Sequence, residues 1–210
     1  MLDQWLRETK DAVFRPLIRG PLRTTPPERV TRAAFVAGLA CALCAASGFY
    51  RAALALWGVN RLLDGLDGTM ARVQKSQSDW GGYQDILLDH VVYALVPLGI
   101  AFAQAQPSVM AACALLQASY FVNTISWCYL AALLEKRQAG AASRGESTSI
   151  TMPSALIEGT ETVLFFSLFL LCPAWSGPLF SLKAGLVLVG VKQRWRFASL
   201  VLPEAKKEVE

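Results

Sequence analysis

The chain has 210 residues, of which 54% are hydrophobic and only 17% charged, and its mean hydropathy is +0.37. Soluble domains carry about 25% charged residues, and disorder requires low hydrophobicity with high charge, so a disordered chain is excluded and a soluble one disfavoured. Five scattered cysteines argue against a disulfide scaffold, and the density of apolar residues calls for lipid to face.

The formal net charge is +4, and its distribution says more than its sum. Arg7, Lys10, Arg15, Arg19, Arg23, Arg29 and Arg32 precede the first apolar run. Within that segment Leu2, Trp5, Leu6, Val13 and Leu17 fall near one helical face, which predicts an amphipathic helix lying at the membrane interface. No apolar core of a cleaved leader is expected there, because Asp3, Glu8 and Asp11 interrupt it. Uncharged residues 33–50 form a run of about one membrane span. Further apolar stretches follow at 52–71, 86–105, 108–134, 152–175 and 178–191, the last being short and interrupted by Lys183. The predicted fold is an all-α integral membrane protein with six transmembrane helices and the N-terminal interfacial helix. Residues 1–29 are the cytoplasmic segment, 30–203 the bundle and 204–210 a polar tail, together one domain.

The connections alternate in charge. Segment 72–82 holds Arg72 and Lys75, segment 135–149 holds Lys136, Arg137 and Arg144, and the tail holds Lys192, Arg194, Arg196, Lys206 and Lys207. The opposite set has Arg51 alone. By the positive-inside rule both termini and the first set of loops face the cytoplasm or its organelle equivalent.

The informative segment is NRLLDGLDGTMARVQKSQSDWGGYQDILLD, residues 60–89. Asp64 and Asp67 are three apart, and Asp85 and Asp89 are four apart, so each pair shares a helical face. A tight connection at Asp79–Gly82 would make the two helices antiparallel neighbours, with all four carboxylates converging near their cytoplasmic ends. Such a group repels itself strongly in low dielectric unless compensated. All-oxygen ligands of this kind favour hard divalent ions, Mg²⁺ or Mn²⁺, over zinc. Gly65 and Gly68 admit a ligand to the helix backbone, and Arg72 one turn on reaches a phosphate. Metals, glycines and an arginine together describe a diphosphate site. The alternative, ion pairing within a bundle, has Asp64 paired with Arg61 and Asp85 capping a helix. It is disfavoured by the cost of charges in spans.

Asp64, Asp67, Gly68, Ala71, Arg72, Gly81, Asp85 and Asp89 fill every fixed position of D-x2-D-G-x2-A-R-x8-G-x3-D-x3-D. The chain thereby resembles the CDP-alcohol phosphotransferase family, and its length and six-span layout fit that family. The stretch Pro27-Glu28-Arg29-Val30-Thr31 departs from it, with Glu28 standing where Asn is common. The resemblance implies transfer of a substituted phosphate from a CDP-linked lipid donor, such as CDP-diacylglycerol, to an alcohol, with release of CMP. It implies homodimers with the site open to the cytoplasm. By position Asp64, Asp67 and Asp85 resemble metal ligands for two ions. Asp89 resembles a further ligand that is also the general base. Gly68, Ala71 and Arg72, with Asp64 and Asp85, resemble the CDP-binding positions.

Other residues stay open at this level. Glu158 and Glu161 either line an acceptor pocket or support the metal shell, or else bond to Thr160, Thr162 or a dimer contact. His90 turns about 100° from Asp89 along the helix, which favours packing. Asn60 contacts nucleotide or bridges helices, and Arg61 meets a phosphate or a carboxylate. Arg137 and Arg144 read an anionic acceptor or simply belong to a solvated basic loop. Cys41 and Cys44 are read as small-residue packing. An intramembrane prenyltransferase would need two acidic motifs far apart, and a divalent-cation transporter leaves Gly68, Ala71 and Arg72 unexplained. No nucleic-acid partner is expected.

Overall fold

The computed structural model describes residues 14–140 and 159–202, and within them it is helical without strands. A short helical segment at 14–19 precedes α1 (Pro27–Ala46), α2 (Tyr50–Val73), α3 (Asp79–Gln104) and α4 (Pro107–Lys136). After the undescribed residues come α5 (Gly159–Leu171), a 3₁₀ turn at Pro173–Trp175 and α6 (Ser176–Val201). Pro27 and Pro107 sit in the first turns of α1 and α4, where the missing N–H costs nothing. Ser78 caps α3 by accepting from the Gly81 backbone N–H at 3.1 Å, with Asp79 in the first turn to favour the helix dipole.

Several boundaries differ from those predicted. The first apolar run is broken by a turn at Gly48, whose φ of +78° is strained for an L side chain, so Tyr50 belongs to α2. Asp79–Gly82 is not the connection but the first turn of α3, and the turn itself is 74–78. The sixth helix is not short: α6 runs 26 residues to Val201. Its Lys183 is fully buried, with Nζ 4.7 Å from the Phe166 ring centroid and 5.5 Å from those of Tyr120 and Phe165. Aromatic faces stabilise a desolvated cation by about 2 kcal/mol, which is how the helix continues through the charge.

Among the described residues, four segments are long and apolar enough to cross a membrane: α1, α3, α4 and Pro173–Val201. The 24-residue α2 carries Arg51, Arg61, Asp64, Asp67 and Arg72, too many charges for that description, and α5 is described for only 13 residues. The interfacial-helix prediction falls mostly on residues 1–13, outside the described set. In the described part Ile18 is buried against the bundle and Leu17 is exposed on its surface.

The helices form two groups. α1 packs closely on both α2 and α3, α4 packs closely on α6, and α5 touches α2, α3 and α6. The expected neighbours α2 and α3 meet through side chains, Arg61 with Asp89 and Trp57 with Tyr93, while the close backbone packing of each is on α1, whose small residues allow close approach on both sides. A Cβ at Gly99 of α3 would lie 2.6 Å from the Ala42 carbonyl oxygen of α1. Along α2, Ala53 and Trp57 join the large apolar core with Phe166, Phe169 and Phe180, while Leu66 and Met70 join a smaller one with Ile18 and Val30. Between these two clusters α2 presents Asn60, Arg61 and Asp64.

Gly99→Ala should therefore cost about 1–3 kcal/mol through overpacking against backbone. The check is a lower melting temperature of the purified variant in detergent, and an unchanged one would contradict the close approach.

Candidate active site

Arg61 organises the polar layer. Its Nη2 donates to Asp89 Oδ1 at 2.6 Å and its Nη1 to Asp89 Oδ2 at 3.2 Å, a two-pronged bridge from α2 to α3. Nη1 also lies 3.7 Å from Asp64 and donates to the Tyr93 hydroxyl at 2.9 Å. The Tyr93 hydroxyl donates in turn to Asp89 Oδ2 at 3.0 Å. Arg61 Nε donates to Asn60 Oδ1 at 2.7 Å, and Asn60 Nδ2 donates to the Ala34 carbonyl of α1 at 2.8 Å. The guanidinium carbon sits 4.7 Å from the Trp57 ring centroid and 5.3 Å from that of Tyr93. Trp57 is fixed from α5, stacked on Phe166 at 5.0 Å and bonded through its indole N–H to Ser167 at 3.2 Å. Of the open alternatives, Asn60 makes the helix-to-helix bond and Arg61 meets carboxylates.

Three spaces adjoin this layer, and Asp85 lines all of them. One, of about 150 Å³, is lined by Asp67, Gly68, Ala71, Arg72, Gly81 and Asp85, together with Glu28 and Thr31 from α1. The second, of about 10 Å³, lies among Asp64, Asp85, Asp89 and Asn60. The third, of about 520 Å³, runs from Asp85 and Asp89 to α4, α5 and α6. The motif positions thus gather as the spacing predicted, although they do so around gaps rather than in a packed seam. Arg72 Nη2 donates to Thr69 Oγ1 at 3.2 Å, which holds its guanidinium beside the 150 Å³ space.

Among the described residues, no three His, Cys, Asp or Glu side chains converge as a ready ion-binding cluster. Arg61 supplies positive charge to Asp89 instead. The donor chemistry nevertheless fits a hard divalent ion. Asp67 Oδ2 is buried with no hydrogen-bond partner, an arrangement that is costly unless something positive or a donor meets it. The 10 Å³ space has room for about one water-sized particle and has three carboxylates in its walls.

The remaining predicted residues lie elsewhere. Arg137 Nη1 donates to the Val201 carbonyl at 3.3 Å, closing the end of α6. Glu161 is half-buried in the first turn of α5, next to Thr162 in the wall of the large cavity. Glu158 and Arg144 lie outside the described residues. Sequence reasoning did not single out Tyr93, and it placed Arg194 in a basic tail rather than in α6. Tyr93 stands four residues after Asp89, a same-face position that signals contact. Arg194 is buried, donating to Asn123 at 3.0 Å and Ser126 at 2.6 Å. It continues the stripe Lys183, Val187 and Gly190, which a helical period reveals. His90 lines the 520 Å³ cavity beside Asp89.

A model of the CDP-alcohol phosphatidyltransferase family matches residues 25–191. Inner membrane protein YnjF of Escherichia coli (strain K12) is 40% identical over 150 residues, 71% of each chain. Crystal structures of Mycobacterium tuberculosis phosphatidylinositol phosphate synthase (PgsA1) share the fold. The one with CDP-DAG bound has a TM-score of 0.68 at 23% identity, covering 93% of this chain and 97% of that one. The one in complex with manganese and citrate has a TM-score of 0.67 at 22% identity, covering 93% and 92%. The chain is a multi-pass membrane protein and belongs to the CDP-alcohol phosphatidyltransferase family.

Gly68→Ala separates space for a ligand from space needed for folding. The new Cβ would meet only Arg72 Nη1, at 3.5 Å, and Ala in a helix is favoured over Gly by about 0.5–1 kcal/mol. The variant should melt at or above the wild-type temperature while binding CDP more weakly, by about tenfold, both read on one detergent preparation. Unchanged CDP affinity would contradict the role of this cavity.

Proposed function

From this family membership we propose that the chain is a phospholipid-synthesising transferase that moves a phosphatidyl group from CDP-diacylglycerol to an alcohol hydroxyl and releases CMP. The observation that carries the reading is Asp85 at the junction of two spaces. On one side lie Gly68, Ala71 and Arg72, suited to a nucleoside diphosphate; on the other lies Asp89 at the edge of a cavity large enough for an alcohol. The CDP-DAG-bound relative supports the donor, and the manganese-bound one supports a divalent ion.

In this reading Arg72 holds the diphosphate, and the missing side chain of Gly68 lets the nucleotide lie against α2. Asp64, Asp67, Asp85 and Asp89 are the ligands for two ions, Mg²⁺ or Mn²⁺. When bound, such ions neutralise the diphosphate and stabilise the departing CMP oxygen. Asp89 takes the proton of the acceptor hydroxyl as the new phosphorus–oxygen bond forms and the bond to CMP breaks. A carboxylate offers about four lone-pair positions. Arg61 and Tyr93 occupy three on Asp89, so Asp89 as an ion ligand would give up one of these contacts and keep the remaining position for the proton. Arg61 thereby aims the base without exhausting it.

The same reading makes one domain of the chain, with a six-helix bundle that includes α2 and a full-length fifth span, an interfacial N-terminal helix, and a homodimeric assembly. The basic residues of 72–82, 135–149 and the tail support a cytoplasmic site with both termini on that side.

Purified protein in detergent, given CDP-diacylglycerol, Mg²⁺ or Mn²⁺ and a panel of alcohols, should release CMP, and chelation should stop it. Asp89→Asn should lower transfer by about 10²–10⁴-fold, the usual contribution of a positioned base, in a protein that still melts cooperatively, though at a lower temperature because Arg61 loses its charged partner. CMP release by Asp89→Asn at the wild-type rate would contradict the assigned base, and release insensitive to chelator would contradict the ion.

A further inference from the structure

The 520 Å³ cavity contains two polar groups that the reaction described above does not use. His90, the only histidine in the chain, bonds through Nδ1 to the Ile86 carbonyl oxygen at 2.7 Å. A carbonyl oxygen only accepts, so Nδ1 carries the hydrogen, and in the neutral ring Nε2, the distal nitrogen, is left as an acceptor. The ring is held between Tyr93 and Trp127, with centroids 6.1 and 6.3 Å away. Across the cavity the Tyr120 hydroxyl is buried and has no hydrogen-bond partner. A buried hydroxyl is satisfied in nearly all proteins, so its lack of a partner at a cavity wall points to a ligand.

The neighbouring amides are half committed. Gln117 donates through Nε2 to the Ala94 carbonyl at 3.0 Å, which leaves its Oε1 to accept. Asn123 Oδ1 accepts from Arg194 at 3.0 Å, which leaves its Nδ2 to donate. The wall therefore offers neutral donors and acceptors in mixture, and each hydroxyl of a polyol is itself both donor and acceptor. Any anionic group on the acceptor, carboxylate or phosphate, would face Asp85 and Asp89 where it entered the same space, whereas hydroxyls meet no such repulsion.

Resting on the transferase reading, we propose that the acceptor is a polyhydroxylated alcohol and that His90 Nε2 and Tyr120 Oη bind hydroxyls other than the one that attacks. Nothing in this assignment moves a proton; both are substrate-binding residues that set specificity. Sites built to hydrogen-bond a hydroxyl reject analogues lacking it far more strongly than apolar pockets reject a missing methylene. Aromatic walls from Trp127 and Phe121 complete the cavity and suit the C–H faces of such a molecule.

The test uses the purified full chain with Mn²⁺ and CDP-diacylglycerol, and reads CMP release with glycerol 3-phosphate, myo-inositol, myo-inositol 1-phosphate and serine. The phosphorylated and free polyols distinguish whether the alcohol also carries a phosphate. The expected result is a kcat/KM for one polyol at least tenfold above that for serine. His90→Phe should raise the KM for that polyol about tenfold, with kcat within threefold and the KM for CDP-diacylglycerol unchanged. His90→Gln, whose amide oxygen can replace the distal nitrogen, should recover most of the loss, and Tyr120→Phe should raise the same KM. Preference for serine would overturn the assignment. So would polyol KM values within twofold of wild type in both phenylalanine variants, or a donor KM that rises with the acceptor KM in His90→Phe. Absence of CMP release by wild type with every acceptor would overturn the transferase reading, and this assignment with it.

Discussion

Four carboxylates set into the polar layer of an apolar helix bundle must be compensated, and the bridge from Arg61 to Asp89 is where compensation is visible. An arginine suits that position because its planar fork meets both carboxylate oxygens at once. The bridge joins α2 to α3, each of which packs its backbone closely on α1. Removing either partner leaves a charge in a low-dielectric layer, a costly state. The ring faces of Trp57 and Tyr93 hold the guanidinium, and Phe166 and Ser167 hold Trp57 in turn. Electrostatics in the layer and aromatic packing on α5 thus support one another.

α1 packs closely on both acidic helices. Small residues on α1 and α3 bring those helices into close contact, as the 2.6 Å approach at Gly99 records. Around this packing Asp85 faces both the glycine–arginine space and the space beside Asp89. The second helix group, α4 with α6, closes the far side of the 520 Å³ cavity. A site with two compartments meeting at one carboxylate suits a reaction that joins two substrates.

The local part of this site was legible in the residues. Asp64, Asp67, Gly68, Ala71 and Arg72 lie on one helix, and a 3.6-residue period fixes their relative directions. The same holds for Asp85 and Asp89. Their relation across helices was not legible. The short connection implied a packed antiparallel pair, whereas α1, far from it in the charge pattern, packs against both. Helix-to-helix partners depend on which small residues meet, and hydropathy does not record that. The sixth helix was cut short because Lys183 reads as an interruption; burial against three aromatic rings became visible only in three dimensions. His90 points away from Asp89 along α3 and packs between Tyr93 and Trp127, as its direction on the helix implies, while its place in a cavity wall is visible only in three dimensions. Glu28 was noted as a departure from the family pattern, and its stretch lines the cavity with Gly68 and Arg72.

The central claim is that the Asp64, Asp67, Asp85 and Asp89 set binds divalent ions, with Arg61 compensating part of its charge in their absence. Mn²⁺ titration of the purified protein, followed by the electron paramagnetic resonance of the free ion, tests this without any turnover. The account predicts loss of free-ion signal on adding wild-type protein, and at least tenfold weaker binding in Asp67→Asn, whose unpartnered oxygen is removed. A free-ion signal untouched by wild-type protein, or equal binding by wild type and Asp67→Asn, would contradict it.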